Sequence, residues 1–422
     1  MKYFFLIVAL LFLFPSDSYA ARLWSSGCEL QGDTGGNMTD NLEWDRDGGS
    51  AGTTQVSTTI FRSGLASCRT VATASWGSIS QDFTASSAAD FYFRFYIYIP
   101  DAPAEPVSIF AVGTSISEQE NTIVVNTDMT LQVYDDDETS IGSSSALNTD
   151  QWYRIEYYYA AAALELRIDG STAVTAAAND GDDLTILSLG MCLGLGLEPH
   201  CGADDNATFD IHFDDVAIND TSGGSQTSWP GAGSIVHMQP NAAGDTNGCS
   251  AGDSTSVDEI TPDDGATVCV LDADTGGDVI EVNMESASSA GIDSFDTISW
   301  VGVGVREAQV SAASATLVPV VRSASGGTQL SGTSYTHNDT TYRTNGDVAP
   351  RNYKLSTTTD PTTGVAWTPT GANSLDNMQV GINCTDCAPN TNVTTLWAIV
   401  EYVDGVAPVA VQREEYILLW EE

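Results

Sequence analysis

Residues 151–170, QWYRIEYYYAAAALELRIDG, constrain the chain more than any other stretch. Trp152 to Tyr159 is crowded with aromatic rings, and Leu164, Leu166 and Ile168 alternate with Glu165, Arg167 and Asp169. Strict alternation marks a strand with one buried face, because successive side chains of a pleat point to opposite sides. Asp169-Gly170 then supplies a two-residue turn signal. The run of alanines at 160–163 is a good helix former and offers an amphipathic helix as the competing reading. Tyr153, Ile155, Tyr157 and Tyr159 suit a pleat better, so the stretch reads as strand and hairpin.

The same texture recurs along the chain. Residues 91–99, FYFRFYIYI, form the strongest strand signal and stop at Pro100. Short apolar runs elsewhere are separated by Thr, Ser, Gly and Asp about every ten residues, the spacing of a sandwich or jelly roll. With 42% hydrophobic residues, nine Trp and fifteen Tyr, the chain can fill real cores and is not a disordered polymer. Its 422 residues suit two domains. The expected fold is all-β, two β-sandwich (jelly-roll) domains in tandem, over residues 21–222 and 234–404. The stretch 223–233, rich in small polar residues and ending in Trp229-Pro230-Gly231, reads as the linker, and 405–422 as a C-terminal tail. In the second domain, Trp300-Val-Gly-Val-Gly-Val305 reads as a buried strand whose glycines admit a close backbone or ring.

Residues 1–20 read as a cleaved signal peptide: Lys2, an apolar core from Tyr3 to Phe14, Pro15, and the small-x-small sequence Ser18-Tyr19-Ala20. That core is too short to span a bilayer, which takes about 20 residues, and no later segment is apolar enough for membrane insertion. The expectation is a secreted, extracellular protein. Eight cysteines in an exported chain imply disulfides, and their positions suggest the local pairs Cys28–Cys68, Cys192–Cys201, Cys249–Cys269 and Cys384–Cys387. A net charge of −43, from 57 acidic and 14 basic residues, repels phosphate backbones and argues against nucleic acid as a partner. The acidity reads as a solubilising surface, as clusters that hold Ca²⁺, or as both.

Gly27-x-Glu29 near the start, the aromatic strand at 91–99, the Trp152…Asp169-Gly170 hairpin and Phe213-Asp-Asp-Val216 occur in an order that resembles laminin-G/concanavalin-A-like jelly rolls, carbohydrate-binding modules among them. The resemblance covers mainly the first domain. The second domain, with Asp360-Pro-Thr-Thr-Gly-Val-Ala-Trp367-Thr, is similar more loosely to β-rich modules that follow such jelly rolls in secreted and virion-surface proteins, and fixes no chemistry. The first resemblance implies a structural Ca²⁺ held by Glu29, Asp214 and Asp215. Ca²⁺ takes six to eight oxygens, which carboxylates and backbone carbonyls supply together. The competing reading has Asp214 or Asp215 facing water at a strand edge.

Weaker candidates are the acidic loop from Asp272 to Asp278, which lacks the distal Glu of a calcium loop, and the acidic run from Asp135 to Glu138. Sugar stacking needs exposed rings, and Trp44, Trp76, Tyr96, Tyr98, Tyr157 and Tyr159 are the candidates, against the general rule that strand aromatics are core. Enzyme readings fail: the paired-carboxylate strand signature of jelly-roll glucanases is absent, no Gly-x-Ser-x-Gly elbow occurs, Gly252-Asp-Ser254 lacks a downstream Asp-x-x-His, and His200, His212, His237 and His337 show no ligand spacing. The sequence therefore points to a secreted, non-enzymatic protein that binds carbohydrate or another extracellular surface. The alternatives are a structural protein of a cell surface or virion-type particle, self-associating through its sandwiches, and a divergent polysaccharide-degrading enzyme.

Overall fold

The computed structural model describes residues 22–30, 43–49, 54–84, 90–115, 117–176, 183–193, 207–222, 224–259, 267–272, 278–346, 350–387 and 390–405. The signal segment 1–20, the Cys192–Cys201 pair, the 272–278 loop, His200 and the 411–422 stretch fall wholly or partly outside these residues. The fold is all-β: the strands pair antiparallel into four sheets, stacked as two sandwiches in succession along the chain.

In the first sandwich one sheet runs Ser171–Ala176, Ala163–Ile168, Trp152–Ala160, Phe91–Tyr98, Ala207–Asp220, Ser67–Ser75 and Thr54–Ser57, with Arg22–Ser26 paired beside Ala207–Asp220. The sheet facing it runs Ser140–Ser143, Leu131–Tyr134, Glu118–Val125, Val107–Ser115, Ile186–Leu193, Gly77–Asp82 and Arg46–Gly49. Alternation decides which rings enter the core. Phe91, Phe93, Phe95 and Ile97 are buried and meet the opposite sheet, where Phe110 stacks on Phe95 at 5.3 Å and meets Phe93 edge-on at 5.7 Å. Tyr157, Leu164 and Leu166 join the same core. The alanine run forms a turn at Ala161-Ala162, not a helix, because both flanking segments gain a buried apolar face as strands. Asp169 and Gly170, at φ 50° and 80°, make the next turn, the left-handed pair of a tight hairpin between Ala163–Ile168 and Ser171–Ala176.

The second sandwich sets Ser234–Met238, Thr391–Val403, Thr297–Gln309 and Arg343–Thr344 in one sheet, with Cys269–Leu271 beside Thr391–Val403 and Ser356–Thr357 beside Thr297–Gln309. Its other sheet runs Pro240–Asn247, Asp278–Met284, Gln379–Asp386, Ala315–Arg322 and Leu330–Ser331, with Tyr335–His337 also on Ala315–Arg322. Gly304 admits the Trp397 indole against the backbone: a Cβ there would lie 1.9 Å from the ring. The disulfides Cys28–Cys68, Cys249–Cys269 and Cys384–Cys387 are formed.

The two sandwiches share a seam. Leu30 and Ala217 of the first pack with Ile235, Trp300, Trp397 and Ile399 of the second in one buried cluster. The segment at 224–233 lies along the first sandwich, with the Gly231 N–H donating to Glu156 at 2.9 Å and the Gln226 amide reaching the Ser299 carbonyl at 3.3 Å.

Candidate functional site

Glu29, Asp214 and Asp215 come together at this seam. The strand Ala207–Asp220 slips its register against Phe91–Tyr98 between Asp214 and Ala217, and Asp215 takes φ 51°. Such a bulge re-aims successive side chains, so one loop can hold both aspartates. Asp214 accepts the Arg62 N–H at 2.7 Å and the Ser63 N–H at 3.4 Å, while the Ser63 hydroxyl donates to Asp215 at 2.6 Å. Asp215 also accepts the Arg62 guanidinium and the Ile235 N–H of the second sandwich. Glu29 follows Cys28, held at φ 58° and tied to Cys68, and accepts the Leu65 N–H at 2.7 Å. Gly64 is required here: its φ is +62°, and the Glu29 carboxylate lies where a Cβ would project, 2.0 Å from its Oε1.

All three carboxylates are buried, and one guanidinium, that of Arg62, pairs with Asp215. Burial raises the Glu29 carboxyl well above its usual range, with Glu43 and Asp215 adding to it. Burial, then Asp215 and Glu29, do the same to Asp214. Glu29 Oε1 has no hydrogen-bond partner. The charge excess and this orphaned oxygen fit a divalent cation. The donors already on Asp214 and Asp215 are amides, a hydroxyl and the Arg62 guanidinium, and among the described residues no group of three or more His, Cys, Asp or Glu side chains is arranged to hold a metal ion. Any cation would therefore be centred on Glu29 and complete its shell with backbone oxygens.

Beside this cluster lies its opposite. Glu401 of the second sandwich accepts Arg22 at 2.7 Å and Arg94, all three buried, and Arg94 Nε donates to the Asp215 carbonyl at 3.0 Å. Burial raises the Glu401 carboxyl, but Arg22 and Arg94 outweigh it and hold it below its usual range.

The outer face of the first sheet carries rings that the sequence reading passed over. Tyr92 and Tyr158 face each other across paired strands and stack at 4.8 Å. Trp229, from the segment at 224–233, meets Tyr92 edge-on at 5.4 Å and Tyr158 at 6.0 Å, and the Arg167 guanidinium lies 3.8 Å from its ring centre. Arg167 is fixed by Glu165 at 2.8 Å, which also takes the Thr172 hydroxyl at 2.5 Å. Burial, then Asp90, raises the Tyr158 phenol to about 12, so it stays a hydroxyl. All three rings are half-buried, leaving part of each open to solvent. Further along the face Tyr98 and Trp152 pair at 5.5 Å, and the Tyr98 hydroxyl donates to Asp150 at 3.0 Å. Of the rings expected to serve as platforms, Trp44, Tyr96, Tyr157 and Tyr159 are buried, whereas Trp76 and Tyr98 are half-buried. Tyr157 and Tyr159 point inward because they share parity with Tyr153 and Ile155. The even positions, 92 and 158, were the outward ones.

The remaining candidates have structural roles. Residues 135–138 turn the hairpin between Leu131–Tyr134 and Ser140–Ser143, with Asp135 accepting the Thr139 N–H at 2.6 Å. Asp253 caps the short helix Ser254–Ser256. His212, His237 and His337 are buried, His212 at 3.2 Å from the Ser67 hydroxyl, His237 beside Glu43 and His337 beside Glu307.

No family model matches the chain, and no curated protein matches it. Among solved structures it is similar to the cellulose induced protein Cip1, at 17% identity over 44% of this chain and 88% of that one, with a TM-score of 0.32. It is also similar to the carbohydrate binding module CBM66 from Bacillus subtilis, at 12% identity over 35% of this chain and 86% of that one, TM-score 0.25. A Trypanosoma rangeli sialidase is 8% identical over 39% of this chain, TM-score 0.28, and only 26% of the sialidase is covered.

Proposed function

We propose that this is a secreted, non-catalytic glycan-binding protein whose ligand lies on the outer face of the first sheet. The observation that carries the reading is the half-open group of Tyr92, Tyr158 and Trp229, rimmed by Arg167, Glu165 and Asp90. Apolar C–H faces of a sugar stack on rings, and charged rim groups exchange hydrogen bonds with its hydroxyls. Two stacked tyrosines with a tryptophan across them, pinned by strand register on one side and a cation on the other, lose little freedom when a ligand arrives. The test is a screen of the mature protein against polysaccharides and a glycan array, with Trp229→Ala and Tyr158→Ala alongside. Each variant should weaken binding about tenfold, the usual cost of losing an aromatic anchor. Variants that bind as wild type would place the ligand elsewhere, and no binding at all would favour the structural, self-associating alternative.

Calcium enters the proposal as a structural ion at Glu29 with Asp214 and Asp215 behind it, supported by the charge excess and the orphaned Glu29 oxygen. Ca²⁺ should raise the melting temperature of wild type, and Glu29→Gln should abolish that rise. A rise that survives Glu29→Gln, or none in wild type, refutes the ion.

A further inference from the structure

A third charged group lies on the seam, away from the aromatic face. The Asp45 side chain is buried, and its carboxylate is met by the Gln81 amide at 2.8 Å, the Asp82 N–H at 3.2 Å and Arg351, whose Nη1 lies 3.3 Å away. Burial pushes the Asp45 carboxyl up to about 6, against the pull of Arg351. Arg343, Arg46 and Arg306 add their positive field to Arg351. Strand pairing sets Arg343 opposite Glu307, next to Arg306, and Lys354 follows Arg351 in the same loop region, its ammonium 3.4 Å from the Pro350 carbonyl. Five of the fourteen lysines and arginines of a chain of net charge −43 are thus gathered in one place.

Arg306 has a partner of its own, and among the described residues the anions around the other four are few. Arg46 is paired off by Asp82 through both nitrogens, and Glu307 is engaged with His337. Asp339 faces Arg343 from solvent. Asp45 is left to serve Arg351 and Lys354, and among the described residues Arg343 and Lys354 form no salt bridge. The Nε–H groups of both Arg343 and Arg351 are buried without a hydrogen-bond partner. Guanidinium forks match the two oxygens of a carboxylate, and an unpartnered buried donor gains most from an arriving acceptor.

We propose that Arg343, Arg351 and Lys354, gathered around Asp45 where the two sandwiches meet, bind the carboxylate of an acidic sugar. The carrier rests on the glycan-binding reading; the anion contact stands on the cations themselves. Repulsion from the acidic surface is screened beyond about 8 Å at physiological ionic strength, so close contacts decide, and the fit is to a single uronic acid unit and not to a dense polyanion.

The test is calorimetric titration of the mature protein with glucuronate, glucose, acetate and sulfate, with Arg343→Gln and Lys354→Gln. Glucuronate should bind, and each variant should weaken it about tenfold. Their ligand-free melting temperatures and their binding of neutral glycans at the Trp229 face should not change. A purely structural role for Arg343 would lower the ligand-free melting temperature and leave the affinity untouched, overturning the proposal. Glucose binding as well as glucuronate, or acetate or sulfate binding as tightly, also overturns it. Glucuronate bound through Arg343 with no neutral glycan bound anywhere would sink the aromatic-face reading and leave this one standing.

Discussion

Around Glu401 two guanidiniums share one carboxylate; around Asp214 three carboxylates gather with one guanidinium, which pairs with Asp215. Both clusters are buried at the seam, and a hydrogen bond from Arg94 to the Asp215 carbonyl joins them. The difference lies in how each charge is answered. Glu401 has a cation on each oxygen and is held ionised despite burial. Glu29 and Asp214 are answered mainly by backbone N–H groups, whose dipoles offset only part of the cost of burying a charge, so their carboxyls are pushed toward the neutral form. The first arrangement ties the sandwiches together. The second stores an excess of negative charge that a proton or a cation can relieve.

The sharpest way to break the comparison is to remove the shared anion. Glu401→Ala leaves Arg22 and Arg94 buried and uncompensated, and should cost about 3–5 kcal/mol in urea unfolding, the usual penalty for breaking a buried pair from one side. A loss near zero would mean that water reaches the arginines and that the seam does not depend on Glu401. Next in size is Gly64→Ala. The left-handed backbone alone costs roughly 1–2 kcal/mol for a residue with a Cβ, and the new methyl would overlap the Glu29 carboxylate. Its stability should fall by at least that much. An unchanged variant would show that Glu29 is free to turn away, and the carboxylate cluster would lose its frame.

How much of this was legible beforehand follows from where the signal lives. Strands such as Phe91–Tyr98 and Ala315–Arg322 announce themselves because one face is apolar. Pro240–Asn247, PNAAGDTN, carries no such alternation; pairing with its neighbour, not its own composition, makes it a strand. The meeting of Glu29 with Asp214 and Asp215 was suggested by resemblance, but their partners were not, since backbone amides from residues 62–65 leave no mark in a sequence. Glu401 lies in an apolar strand 379 residues from Arg22, and nothing local marks the pairing. Trp229 was read as part of a linker because its neighbours are small and polar; a tryptophan in such a stretch was itself the clue that something holds it.

The smallest effect is also the one that separates the clusters by sign. Glu29 and Asp214 bind protons more readily in the folded chain than at their ordinary values of 4.5 and 3.8. Between those values and the raised ones, the folded chain holds more protons than the unfolded, so stability falls as pH rises through that window. Glu401 behaves in reverse: its contribution is full above its ordinary 4.5 and is lost as pH falls through its lowered value. His212, pushed down by burial to about 4, also destabilises the fold as pH falls below its ordinary 6.5, but it is common to every variant and cancels in differences. Unfolding free energies of wild type and Glu29→Gln, measured in EDTA from pH 4 to 8, should therefore diverge, with the variant gaining relative to wild type as pH rises. Adding Ca²⁺ should flatten the wild-type slope, because a bound cation does what the proton did. Parallel curves in EDTA would mean that the backbone amides already satisfy Glu29, and the contrast between the two clusters would then be one of partners and not of charge.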